Sequence, residues 1–371
     1  MFFVIISFLA LCLFSFLPQR KKEYYPMKYG NLPHRQDNPL DAKTTTCLKG
    51  IFAIAVVLHH FAYHFPPVET IPFFEIVFGR VGAVAVGVFF MLSAFGITRS
   101  YLKRKDGYLK SMIRNKIPAL YFVFVFINIF YLIERLAMGV NFSFVEAIVS
   151  VLGFSIPSLG RDVWFIITIL ALYLLFVLVL VCTRKLKNRN NVSLGIMTAI
   201  SFFLIFMSFI ISPTEPFIFV RAILCFPLGM AYALFYKEIN QILNRFWILI
   251  LSLASLVICT DCAFGYLDEQ LRSILACVFV ITLVYKVNIK TRASYFLGVI
   301  SLEIYFIHAL VQNLFARWFL AYNPSIFTIG SLLMSIVIAI LIYFMIIGFK
   351  KLLKFWTVAI SQHTKSIELS N

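Results

Sequence analysis

Charge is what this sequence has least of. Only 13% of its 371 residues are Asp, Glu, Lys or Arg, and the acidic ones number 16 against 33 basic. A water-soluble fold of this length needs far more polar surface, so a soluble enzyme or a soluble nucleic-acid-binding protein is excluded. Cysteine is sparse too: the seven present lie mostly inside apolar runs, where they act as small hydrophobes. Cys259 and Cys262 form one C-x-x-C with no second pair, which does not read as a zinc or redox site. No internal repeat is visible, and no appended soluble catalytic domain is expected.

What is present is apolar sequence. Hydrophobic residues make up 61% of the chain, Phe alone numbers 42, and the mean hydropathy is +0.93. Lipid must solvate such surfaces, and only helices or closed barrels satisfy their backbone there; the long apolar runs select helices. The expected fold is therefore all-α, a polytopic transmembrane bundle of ten core spans plus one N-terminal apolar segment. The core spans are placed at 48–65, 81–98, 117–133, 163–182, 192–211, 217–236, 246–264, 271–286, 295–316 and 326–349. Residues 2–17 form the extra segment; followed by Arg20, Lys21 and Lys22 rather than a cleavage site, they read as an uncleaved anchor. Residues 18–47, with four prolines, read as a polar linker, so 1–47 precede a membrane domain over 48–350 and a tail over 351–371. The run from Phe142 to Phe154 is too short to span and either lies at the interface or re-enters.

Orientation follows from the cations. Putting the stretch before the first core span and every second loop in the cytoplasm collects 27 of the 33 lysines and arginines there. That asymmetry places both ends of the core in the cytoplasm, and any chemistry inside the membrane.

One span stands out. From Lys49 to His60 the chain is apolar, with a cation at one end and an imidazole at the other. At the helical period the two side chains fall within roughly 20° of one face and about 16 Å apart along the axis. An ionisable group in a span is costly, so it marks a functional interior. His60 can take and return a proton near neutral pH, although a histidine bonding across a bundle is the plainer reading. His59 points about 100° away. His64 shares the His60 face by spacing, but no third ligand is evident and no metal is expected. Lys49 reads either as functional or as an interfacial lysine reaching the headgroups.

Further along, Glu303 and His308 sit in the ninth core span, where a carboxylate needs a partner; Glu303 is a candidate to orient or charge-balance His60. The cations from Arg99 to Lys116 form a positive loop that could attract an anionic donor, with Arg114 and Lys116 closest to the helix start at Pro118. Gly82, Gly87, Ser93 and Gly96 allow close packing or leave room for a thin substrate arm. Trp164 reads as an aromatic-belt residue or a sugar platform.

Taken together these motifs resemble the acyltransferase-3 family of integral membrane acyltransferases, over roughly 44–350. The residues that carry the likeness are Lys49 to His60, with Lys where the family has Arg; Gly87-Val88-Phe89-Phe90-Met91-Leu92-Ser93-Ala94-Phe95, with Ala94 for Gly; Arg114 to Tyr121; Trp164-Phe165-Ile166; and Ser301 to His308, which contains Tyr305. The resemblance implies transfer of an acyl group, usually acetyl from acetyl-CoA, to a hydroxyl of a glycan or lipid-linked glycan at the outer face of a bacterial inner membrane. It implies catalysis by His60 with Lys49 and Glu303. Arg114, Lys116, Ser93, His64, Trp164, Tyr305 and His308 then contact substrates, Lys49 meeting CoA phosphate or the thioester oxyanion. Lys is a point charge where Arg is a planar fork, so donor binding is expected to differ here. Lipid surrounds the protein, and no nucleic acid is expected. The rival class is a glycan or lipid transporter without transferase chemistry, whose usual broken helices are not visible in the sequence.

Overall fold

The computed structural model describes residues 39–61, 64, 72–154, 164–212, 218–264, 268–320 and 324–370, and every regular element among them is helical. The anchor expected at 2–17 and most of the linker lie outside the described residues. The first helix, α1 (Ala42–Phe61), starts inside the expected linker. Asp41 caps it, its Oδ1 accepting from the Thr44 amide at 2.7 Å. The helix ends at Phe61, whose carbonyl accepts from the His64 amide at 3.0 Å in a turn. Pro66 and Pro67 follow in sequence, and a residue before proline avoids helical backbone.

The 33-residue α2 (Pro72–Arg104) is the centre of the bundle. Against it pack α1, the short α8 (Cys225–Leu234) and α10 (Glu269–Lys286). Its cation-rich end continues through α3 (Asp106–Ser111) and a π turn (Met112–Lys116) into α4 (Ile117–Ala137), where Pro118 sits at the tolerant first turn. Then come α5 (Phe144–Val151), α6 (Trp164–Cys182), α7 (Arg189–Ile211), α9 (Tyr236–Phe264), α11 (Arg292–Val299), α12 (Ser301–Phe315) and α13 (Pro324–Ser370).

Among the described residues, seven helices are long and apolar enough to cross a membrane, or eight when one bent pair counts as a span. The expected count of ten is not reproduced, for two local reasons. Segment 217–236 contains a helix of only ten residues, preceded by a 3-10 turn (Ile218–Val220) and by Ala222 at φ 55. At about 1.5 Å per residue it covers half a bilayer core. Segment 271–286 does form α10, but Glu269, Arg272 and Lys286 make it too polar to qualify by composition. The expected span 295–316 is also not straight, since α11 and α12 meet at 73°. Broken helices are therefore present after all. Exposed backbone at the first break is covered by side chains: Gln270 donates to the Val220 carbonyl at 2.5 Å and accepts from the Leu224 amide at 3.4 Å. Thr168 donates to the Phe219 carbonyl at 3.3 Å.

The short run at 142–154 forms a helix of eight residues, too short to span. A capping box on Ser143 and Glu146 starts α5, which then folds back along α4. Asn128 donates to the Val151 carbonyl at 3.0 Å and Tyr121 to the Leu152 carbonyl at 3.1 Å, closing the helix end beside the middle of α4. Gly153, at φ 83, terminates it, and a side chain there would run into Phe124. At the other terminus, the expected tail 351–371 is helical to Ser370 as part of α13.

Candidate active site

Backbone contact fixes α1 in place. A Cβ on Gly50 would lie 2.5 Å from the Gly298 nitrogen, and one on Gly298 would overlap the Thr46 carbonyl, so α1 and α11 touch main chain to main chain. Asp41 adds a 2.6 Å ion pair to Lys290 beside that contact. The stripe from Lys49 to His60 is thus carried on a rigid strut, with both residues half-buried.

At the cation-rich end, three of the sequence candidates converge on a residue that the sequence reading missed. The Lys49 ammonium acts electrostatically on the Tyr173 phenol and on Lys116. Tyr173, on α6, is buried with its phenol beside Ser93 of α2. The Lys116 ammonium lies 4.8 Å from the centre of the Tyr173 ring, with Tyr108 also nearby. A hydroxyl in the Leu- and Val-rich run of α6 was the available signal for Tyr173, since a buried phenol needs a partner. Arg114 is exposed on the π turn. Two positive groups and a phenol in one place can hold an anion, or an oxyanion that develops during reaction.

At the other end the imidazoles meet. The His60 and His308 rings stand 4.7 Å apart at 60°, and His59 and His60 stand 5.2 Å apart at 77°. His308 is fully buried on α12, with Nδ1 2.6 Å from the Tyr305 carbonyl. That contact assigns the proton to Nδ1 and turns Nε2 outward from the helix as the basic nitrogen. Gln312, one turn further, donates to the Val57 carbonyl at 3.0 Å, and Tyr131 of α4 donates to the Phe306 carbonyl at 2.9 Å, so α12 is tied to both α1 and α4. His59 has a seat of its own. Its ring lies on Gly82 of α2 where any Cβ would collide with it.

Between the two ends lies an aromatic wall. Tyr305 packs on Phe165 at 5.0 Å, on Phe89 at 6.3 Å and on His308 at 5.8 Å between ring centroids. Trp164 is buried at 8% exposure, so it does not belong to a lipid-facing belt. His64 sits in the turn just past the end of α1, where its ring packs on Phe327 at 5.3 Å and it acts electrostatically on His60. Glu303 is buried in the first turn of α12, about 140° around the helix from His308. Among the described residues no group of three His, Cys, Asp or Glu could hold a metal ion. A cavity over Lys105 and Arg189 and another beside Glu134 both lie away from Lys49 and His60.

A family model described as an acyltransferase domain matches residues 45–344, which takes in Lys49, His60, Tyr173 and His308 together. No curated protein and no solved structure matches the chain.

Proposed function

The chain belongs to the acyltransferase-3 family, and from that premise we propose that it transfers an acyl group, acetyl by default, from acyl-CoA to a hydroxyl of a surface glycan or lipid-linked glycan. The donor binds in the cytoplasm at Lys49, Lys116 and Tyr173, with Arg114 at the mouth. The thioester carbon reaches His60 past Ser93 and Tyr305. His60 accepts the proton of the acceptor hydroxyl as its oxygen forms a bond to the acyl carbon; the carbon–sulfur bond breaks, and the proton passes to the departing thiolate. His308 supports the His60 imidazole, and Glu303 balances charge nearby. The acyl group crosses the membrane and CoA does not. On this reading the protein resides in a bacterial inner membrane, and Trp164 and His64 border the acceptor.

One observation supports it above the others: helix α1 presents a cation to a buried phenol at one end and an imidazole to a second imidazole at the other. The test is thiol release from acetyl-CoA by purified protein with a glycan acceptor. Wild type releases thiol and His60→Ala does not, while both accumulate in membranes. Wild-type release by His60→Ala ends the assignment.

The two helix breaks, at Ala222 and between α11 and α12, favour a second reading as a glycan or lipid transporter, because discontinuous helices line such pathways. A transporter moves its cargo without releasing thiol.

A further inference from the structure

On the far side of α12 from His308, the structure forms a cavity of about 290 Å³ between α4 and α12. Its walls are Phe130, Ile133, Met138, Leu310 and Leu314, with Ile133 and Leu314 exposed on the bundle surface. Two charged groups break this apolar lining, Glu134 and Arg317. Arg317 is exposed at the rim, on a π turn (Ala316–Leu320) that follows α12. Glu134 is at the floor, its side chain only 6% accessible.

The Glu134 carboxylate lacks what a buried carboxylate requires. Its Oε1 is buried with no hydrogen-bond partner. Its Oε2 lies 4.0 Å from the Arg135 Nε, beyond hydrogen-bond reach, and Arg317 acts on it only through space. An acceptor left bare in an apolar setting is costly, and a charged donor satisfies it best.

We propose that this cavity binds the headgroup of an aminophospholipid, an ethanolamine phosphate ester, from the leaflet at the end of the bundle away from the basic loop. The ammonium donates to Glu134, the phosphate sits on Arg317, and the first methylenes of an acyl chain lie along Phe130, Ile133 and Leu314. A zwitterion matches the two opposite charges, whereas a purely anionic headgroup offers Glu134 nothing. Because the cavity wall is the reverse face of the helix that presents His308 to His60, the lipid braces the imidazole pair from behind. This site is independent of which acyl group or acceptor the protein uses.

Choline distinguishes the claim from simple lipid adhesion, since it keeps the positive charge and has no N–H. Delipidated protein is mixed with equal amounts of phosphatidylethanolamine, phosphatidylcholine and phosphatidylglycerol, and retained lipid is counted by native mass spectrometry. The expected result is one tightly held lipid with about tenfold preference for ethanolamine over choline. Glu134→Gln brings the two near parity, Arg317→Gln weakens both, and Leu314→Trp, which fills the cavity and leaves both charges in place, expels the lipid. Size-exclusion elution confirms the folded state of each variant. Equal retention of ethanolamine and choline lipids by wild type overturns the proposal, as does preferred retention of phosphatidylglycerol or an undiminished preference in Leu314→Trp.

Discussion

The imidazoles of His60 and His308 meet edge to face at 4.7 Å between centroids, brought together from helices near opposite ends of the sequence. If His60 is the base, His308 positions it. His60→Ala is expected to lower kcat by about 10²–10⁴-fold, the usual range for general base catalysis. His308→Gln should lower kcat by about tenfold, leave the KM for acyl-CoA unchanged and shift the pH–rate profile, because the neighbouring imidazole changes how readily His60 protonates. Initial rates of thiol release across pH check both; a His308→Gln profile that superimposes on wild type removes the positioning role.

The Lys49, Lys116 and Tyr173 cluster makes a different prediction. Lys49→Met and Lys116→Ala are each expected to raise the KM for acyl-CoA several-fold with a smaller change in kcat, and the effect should shrink at high salt for Lys116, which is exposed. Tyr173→Phe keeps the ring under Lys116 and loses only the hydroxyl beside Ser93, so it should be milder than Tyr173→Ala. Steady-state kinetics at two ionic strengths separate these outcomes.

Gly82 is the seat of the His59 ring. Gly82→Ala must displace that ring, which leans on His60, and overpacking of this kind costs about 1–3 kcal/mol. The expected outcome is lost activity in protein that still folds. Gly298→Ala pushes instead into the Thr46 backbone, and is expected to abolish accumulation of folded protein. Fluorescence-detected size exclusion compares the two.

Much of this was legible in the chain. The apolar runs, their charge asymmetry and the phase of Lys49 and His60 are local properties, and α1 formed as its period required. Tyr173 was legible only as a buried phenol in need of a partner, because its role comes from Lys49 and Lys116 on other elements. The breaks at Ala222 and Ile300 were hidden for a similar reason: mean hydropathy is blind to backbone direction, and Gln270, which seals the first break, lies far along the sequence. His64 lies past the end of α1, so helical spacing alone does not place it; the turn and the Phe327 ring do.

Asp41 supplies a pH-dependent prediction. Burial alone would raise its pKa, but the Lys290 ammonium and the Thr44 amide outweigh that and hold the carboxyl below its ordinary value of 3.8. A depressed folded pKa gives stability that is present above the ordinary carboxylate range and lost as pH falls through it. Asp41→Asn should therefore cost roughly 0.2–1 kcal/mol of stability at pH 7, as for a partly exposed pair, with a slightly lower Tm, and the gap should close in acid. Thermal unfolding between neutral pH and about pH 3 tests this; a gap that widens in acid contradicts it.

The touching main chains at Gly50 and Gly298 carry a consequence for motion. With no side chain between them there is no lubricating layer, so the lower half of α1 can neither slide nor roll against α11. Whatever opens to admit a bulky acceptor must hinge at the imidazole end, as a reed clamped at its base bends only at its tip.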